Sequence, residues 1–115
     1  MLLIDANVIL RLLLRDNAEM SEQAAKVISE RKVSLRHEII AEVVYVFQKV
    51  YGLPRDEISN SITRFLSLKT VYSEHADVLS EAFSVFTNSN LDFIDCLLYA
   101  FNTVKGYSVL LSIRN

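Results

Sequence analysis

Four acidic side chains stand where a reactive site could be built. Asp5 directly follows the apolar run Met1–Ile4, and Glu42 lies inside an otherwise apolar helix pattern. Asp92 and Asp95 are three residues apart at the start of a predicted helix, so they share one helix face. Carboxylate oxygens are the ligands that hard divalent cations such as Mg²⁺ prefer. Clustered carboxylates repel one another unless a cation neutralises them, and that repulsion gives such a site its affinity.

Each of these acids also fits a structural role. Asp5 suits the N-cap of the following helix, although Asn7 is an equally good capping residue there. Glu42 suits an ordinary solvated helix carboxylate. Asp92 suits an N-cap, with Asp95 facing the exposed N–H groups and the dipole of the first turn. The structural and the metal-binding interpretations both stay open, because a carboxylate at a helix end can also face a cation.

The size and composition of the chain predict one folded domain over residues 1–115. A chain of 115 residues is too short for two domains that each bury a useful core. Hydrophobic residues make up 51% of the sequence, which excludes a disordered chain. Only two Gly and one Pro occur, which disfavours a turn-rich all-β fold.

Charge and cysteine content narrow the class of function. The formal net charge of −2 excludes the basic footprint of a stable nucleic-acid binder, but not a nuclease whose metal ions supply positive charge locally. A single cysteine, Cys96, cannot form an internal disulfide, which indicates a reducing compartment; we expect it to be a small buried hydrophobe. Asp5 interrupts the apolar N-terminus, which excludes a signal peptide or a membrane span. We expect a soluble cytoplasmic protein.

The hydrophobic pattern predicts strands that alternate with helices. Such an order indicates an α/β fold, a three-layer α/β/α sandwich with a mostly parallel central sheet. The predicted strands are Met1–Ile4, Lys32–Leu35, Lys69–Tyr72 and Tyr107–Leu111, and the predicted helices run from Val8 (capped by Asn7) to about Arg15, 18–30, 36–51, 54–66, 73–87 (capped by Ser73) and 92–104.

The predicted topology places Asp5 at the edge of the sheet where ligands bind. In open α/β sheets this is the edge formed by the carboxyl ends of the strands. A divalent cation held there polarises a phosphate and activates a water molecule. The acidic residues together therefore indicate phosphodiester chemistry.

Three segments resemble the PIN-domain family, in the same order and at fitting separations. They are IDANVILRLLL at the start, IIAEVVYVFQKVYGL in the middle and LDFIDCLLYA near the end. The resemblance covers nearly all 115 residues and is strongest to the VapC-type toxins of bacterial and archaeal toxin–antitoxin pairs. It implies a ribonuclease that hydrolyses RNA with metal-activated water, leaving a 5′-phosphate and a 3′-hydroxyl.

The same resemblance assigns roles to individual residues. Asp5, Glu42 and Asp95 match the acids that hold Mg²⁺ or Mn²⁺ and carry catalysis, and Asp92 matches an accessory acid. Asn7 matches a polar residue that supports Asp5. The resemblance also implies a homodimer and an antitoxin partner.

Two features depart from the family pattern. Ala6 stands where the family commonly has Thr or Ser. After the last predicted strand the family usually has a fourth acid, whereas this chain continues with Ser-Ile-Arg-Asn at 112–115. We therefore expect a domain that lacks the C-terminal segment with the fourth acid, and a reduced nuclease activity.

Two other classes of function compete with the nuclease. The first is a degenerate, catalytically weak or inactive PIN-like module that binds another protein, and the missing fourth acid favours it. The second is a phosphotransfer enzyme or receiver domain with an aspartate at a strand end. Phosphatases of that kind need a second Asp where this chain has Asn7, and the acidic pair of a receiver domain is not evident.

Overall fold

The computed structural model describes residues 1–14 and 18–110, in which three short strands alternate with helices. The elements are β1 (Leu2–Leu3), α1 (Ala6–Leu14), α2 (Ala18–Glu30), β2 (Val33–Ser34), α3 (His37–Lys49), α4 (Arg55–Leu66), β3 (Val71–Tyr72), α5 (Ala76–Thr87) and α6 (Phe93–Lys105). No helix within these ranges is long and apolar enough to cross a bilayer.

The three strands form one parallel sheet in the order β1-β2-β3. Leu2 pairs with Val33, and Val33 pairs with Val71 on its other side. A hydrogen bond of 2.8 Å from the Leu35 amide to the Tyr72 carbonyl continues the ladder beyond β2. Parallel neighbours require helical crossovers between them. The predicted α/β fold with a parallel sheet is confirmed.

The start of α1 corrects one part of the sequence interpretation. The predicted helix began at Val8 behind an Asn7 cap, but α1 begins at Ala6. The Val8 amide donates a 3.1 Å hydrogen bond to Oδ1 of Asp5, which satisfies one of the free N–H groups of the first turn. Asp5 is therefore the capping residue, and Asn7 lies one residue inside the helix.

The core lies between the sheet and the helices and is rich in aromatic side chains from the C-terminal half. The Phe93 ring packs against Phe83 and Phe86, with centroid separations of 4.8 and 5.7 Å, and joins α6 to α5. At the far end of the same helix pair, Nζ of Lys105 lies 2.9 Å from Oδ2 of Asp77. The hydrogen bond from Lys105 lowers the pKa of Asp77. The helices α5 and α6 thus contact each other at both ends of the pair.

The predicted last strand, Tyr107–Leu111, is not present at residues 107–110, and Leu111 lies outside the described residues. Gly106 ends α6 in the left-handed conformation, with φ 73°. The Asn102 side chain then donates a 2.8 Å hydrogen bond to the Tyr107 carbonyl, and the Tyr107 ring stacks on Phe101 at 5.9 Å. These contacts hold the chain against the end of α6, away from a strand conformation.

The helix α5 also begins later than predicted. Ser73 was expected to cap it, but the helix starts at Ala76 with His75 at the N-cap position. Residues 73–75 therefore form a connection beyond the end of β3.

We predict that Gly106→Ala lowers the free energy of unfolding by about 1–2 kcal/mol, because a Cβ disfavours the left-handed conformation. A Cβ at this position would meet nothing within 4 Å, so the penalty is conformational. The matched variant Gly106→Asn should lose clearly less, since Asn tolerates this conformation. Urea unfolding followed by circular dichroism measures both variants. Equal losses would show that the backbone conformation of Gly106 is not the cause.

Candidate functional site

Asp5 lies beyond the carboxyl end of β1, as predicted, and it is exposed. Its Oδ1 atom accepts the hydrogen bond from the Val8 amide that caps α1. A cation would therefore bind through the other carboxylate oxygen. The capping and ligand roles are compatible at this residue, because the cap fixes the carboxylate at the sheet edge without using both oxygens.

Two surface cavities meet at Asp5. One, of about 460 Å³, is lined by Asp5 together with Arg36 and Glu38 from the start of α3. The other, of about 670 Å³, is lined by Asp5, Asn7 and Arg11 on one side and by α2 on the other. Asn7, two residues after Asp5, lines only the second of these cavities.

The other predicted acids lie on α3 and at the start of α6. Glu42 is exposed on α3, which packs against both α1 and α6. Asp95 is half-buried in the first turn of α6, and Asp92 is exposed at the N-cap position of that helix. The helix that carries Glu42 thus contacts both the helix that Asp5 caps and the helix that carries Asp95.

The acids do not form a ready-made metal site. Their carboxylates suit Mg²⁺ or Mn²⁺ chemically. However, in residues 1–14 and 18–110 no group of three or more His, Cys, Asp or Glu side chains is arranged to hold a metal ion. A cation shared by Asp5, Glu42 and Asp95 would require their side chains to move together. The structure therefore contains suitable carboxylate ligands, but they are not arranged around a common point.

Sequence reasoning did not single out Glu38, the acid that shares a cavity with Asp5. Glu38 precedes Glu42 by one helical turn and lies on the same side of α3. Its Oε1 accepts a 2.7 Å hydrogen bond from Nε of Arg36. That hydrogen bond lowers the pKa of Glu38 and raises the pKa of Arg36. Glu38 therefore stays ionised and keeps negative charge beside Asp5.

Arg55 fixes the segment that carries Asp92 and Asp95. One guanidinium nitrogen donates hydrogen bonds to the carbonyls of Phe86, at 3.0 Å, and Leu91, at 2.7 Å. The same guanidinium lies 4.3 Å from the centroid of the Phe86 ring, a cation–π contact. Because Leu91 immediately precedes Asp92, this half-buried side chain of α4 holds the connection between α5 and the first turn of α6.

Cys96 is buried next to this segment, as predicted. Burial raises the pKa of its thiol, so the reactive thiolate is disfavoured. We therefore assign Cys96 to the core and not to the chemistry of the site.

The structure also brings together His37 and His75, which are far apart in the sequence. Their ring centroids are 5.6 Å apart, and both rings pack against Phe101. The position of the two histidines relative to the strands could have predicted this contact. Each histidine follows the carboxyl end of a strand by three residues, His37 after β2 and His75 after β3.

Comparison with protein families matches the PIN domain to residues 2–110 of this chain. Because the match covers nearly the whole chain, the chain belongs to the PIN-domain family. PIN domains are generally nucleases that act on nucleic acid with divalent metal ions. No curated protein and no solved structure matches the chain.

We predict that Arg55→Lys lowers the free energy of unfolding by about 1–2 kcal/mol, because an ammonium group cannot reproduce the two carbonyl hydrogen bonds and the stacking of a planar guanidinium. The matched control is Arg64→Lys on the exposed side of the same helix, which should change stability by less than about 0.5 kcal/mol. Urea unfolding by circular dichroism suits this chain, which has no Trp. A neutral Arg55→Lys would contradict the assigned role.

Proposed function

We propose that this protein is a metal-dependent endoribonuclease that hydrolyses RNA phosphodiesters with water. In this proposal Asp5, Glu42 and Asp95 hold Mg²⁺ or Mn²⁺ and carry catalysis, with Asp92 as an accessory acid and Asn7 as a support. The observation that carries the proposal is the PIN-domain match over residues 2–110, which includes all of these positions.

The position of Asp5 and the packing of α3 support this assignment. Asp5 lies at the sheet edge where parallel α/β folds bind ligands, and α3 packs against both α1 and α6. Carboxylates repel one another when no cation lies between them, so we expect Glu42 and Asp95 to stay apart from Asp5 before the ion binds. When bound, a divalent ion supplies charge neutralisation at the scissile phosphate and an activated water molecule.

The chain's own residues give the site its orientation. The hydrogen bond between Asp5 and the Val8 amide fixes one ligand relative to α1, and the contacts of Arg55 fix the start of α6. Arg11 lines the groove on the α2 side of Asp5 and brings positive charge to the path of an RNA strand. The position of the substrate would thus depend on the starts of α1 and α6, which these contacts fix.

The biological role that we propose is the toxin of a toxin–antitoxin pair in the cytoplasm, acting as a homodimer. This part of the proposal is supported by the motif resemblance to VapC-type toxins. The negative charge of Asp5 and Glu38 at one cavity would favour an antitoxin segment that supplies Arg or Lys.

A catalytically weak or inactive PIN-like interaction module is the second candidate. It is favoured by the absence, in the described part of the chain, of any group of three acids or other metal-binding side chains arranged around a common point. The two candidates differ in whether a divalent cation brings the acids together, which can be measured directly.

For the nuclease, we predict that Asp5→Asn and Asp95→Asn each lower the rate of RNA cleavage by at least about 100-fold, because each removes a charge that the transition state requires. EDTA should abolish wild-type cleavage. The matched control is Asp56→Asn at the exposed start of α4, which should cleave like the wild type. Cleavage of a labelled RNA that persists in EDTA, or in both variants, would refute the metal-dependent site.

For the metal, we predict saturable heat on titration with Mn²⁺ and an affinity at least about tenfold lower in Glu42→Gln, because a lost carboxylate removes a charged ligand. The matched control is Glu38→Gln, one turn earlier on α3, which should weaken Mn²⁺ binding clearly less. A larger loss of Mn²⁺ affinity in Glu38→Gln than in Glu42→Gln would assign the ligand role to Glu38. A silent wild-type titration would favour the interaction module.

A further inference from the structure

His37 and His75, the two histidines of the chain, line one small cavity, which shares Arg36 with the cavity at Asp5. The cavity has a volume of about 120 Å³ and lies beyond the carboxyl ends of β2 and β3. Besides His37 and His75, the side chains that matter for its chemistry are Arg36, Ser73 and Glu74. Nothing in the proposed catalytic site uses the imidazoles or Ser73.

Aromatic packing holds the two imidazoles in place. His75 and His37 lie edge-on to the Phe101 ring, at centroid distances of 5.1 and 5.9 Å and interplanar angles of 74°. Phe101 is in turn stacked on Tyr107. The imidazoles are therefore positioned by α6 before any ligand arrives, which lowers the entropy cost of binding one.

The donors in the cavity are those that bind oxyanions. Arg36 pairs with Glu38 through Nε, at 2.7 Å, so the two terminal nitrogens are the donors that it offers to a ligand. A guanidinium fork, imidazole N–H groups and a serine hydroxyl are all common phosphate contacts. Among the described residues, no three His, Cys, Asp or Glu side chains could hold a metal ion, so a cation site is disfavoured here.

Size and charge narrow the class of anion. The cavity, at about 120 Å³, is much smaller than the two cavities at Asp5, which suits a tetrahedral phosphate group better than a nucleobase with its sugar. Glu74 lines the cavity and Glu38 lies 3.7 Å from Nε2 of His37. Because these two carboxylates outnumber the single charge of Arg36, hydrogen bonds and not net charge would hold a ligand here, and a singly charged phosphodiester fits better than a doubly charged free phosphate.

We propose that this cavity binds a phosphodiester of the RNA strand close to the one that is cut. The proposal rests on the proposed nuclease function. Neighbouring strands lie about 4.8 Å apart, so the ends of β2 and β3 are about 5–10 Å from the end of β1, and one RNA strand can reach both Asp5 and the cavity. The cavity positions the strand and takes no part in the chemistry.

The histidines make a direct binding test available. Because His37 and His75 are the only histidines, the imidazole proton signals in an NMR spectrum report on this cavity alone. The probe is an RNA pentanucleotide without terminal phosphates, added in EDTA so that no cleavage occurs. We expect it to shift both imidazole signals saturably, and Arg36→Gln to weaken this binding about tenfold, the effect of losing one charged hydrogen bond.

The matched control is Arg31→Gln, which removes the same charge at the amino end of β2, on the opposite edge of the sheet. It should leave the affinity within about twofold, as expected for a surface charge far from the ligand. A second variant, His75→Asn, keeps a good capping residue at the start of α5 and should also weaken binding. Unchanged affinity in both Arg36→Gln and His75→Asn would overturn the proposal.

Inorganic phosphate is the comparison ligand. Imidazole signals that respond to inorganic phosphate and not to the pentanucleotide would assign the cavity to free anions and overturn the RNA subsite. Signals that respond to neither would overturn it as well. A response to the pentanucleotide at lower concentration than to inorganic phosphate supports the proposal.

Failure of the nuclease and failure of this subsite give different results. Asp5→Asn should lose cleavage yet keep the imidazole shifts, since binding in EDTA needs no catalysis. In the active enzyme, His75→Asn should raise KM for RNA about tenfold with kcat within about twofold, because it removes binding that substrate and transition state share. A fall in kcat at unchanged KM would contradict a positioning role.

Discussion

The parallel pairing of three very short strands is the constraint on which both proposed sites depend. Two residue pairs join β1 to β2, and two join β2 to β3. Parallel pairing sends every carboxyl end to one edge, so the chain places Asp5, the start of α3 and the start of α5 side by side. Ladders this short cannot hold a sheet by hydrogen bonds alone. The burial of Val33 and Val71 beneath the helices supplies the rest, because apolar area removed from water is the larger stabilising effect.

The position of Asp95 has a different origin. Its helix follows no strand, and its position depends on packing within the C-terminal half. Arg55 holds the Leu91 carbonyl, and a 2.7 Å hydrogen bond between Ser59 and Thr87 ties α4 to the end of α5. Assembly of the acids therefore combines a position set by the sheet with one set by helix packing. A cation that draws the carboxylates together would couple the two halves of the domain, and its binding energy would add to the stability of the folded state.

The sequence predicted what periodicity and composition determine. The order of the first three strands and the six helices, the bounds of α2 and the burial of Cys96 follow from apolar spacing and were confirmed. The choice between Asp5 and Asn7 as cap could not be made, because both residue types cap well and they stand two positions apart. Tyr107 was assigned to a strand because the apolar pattern does not show that its ring stacks on Phe101, six residues earlier. The contact between His37 and His75 likewise cannot be predicted without knowing the strand order, since 37 residues lie between them in the sequence. The metal-ligand assignments stay predictions.

The net charge of the protein explains why RNA would have to be bound by a few local groups. With a formal net charge of −2, the chain as a whole repels a polyanion, so affinity cannot come from a broad basic face. What can attract RNA is a cation held between Asp5 and its partner acids, together with the guanidinium of Arg36 and the imidazoles beside it. Each of these groups would contact about one phosphate, so RNA binding should depend only weakly on salt, with a slope set by a few contacts. Such binding suits an enzyme that must release its product, since tight binding of the whole strand would bind substrate and product alike.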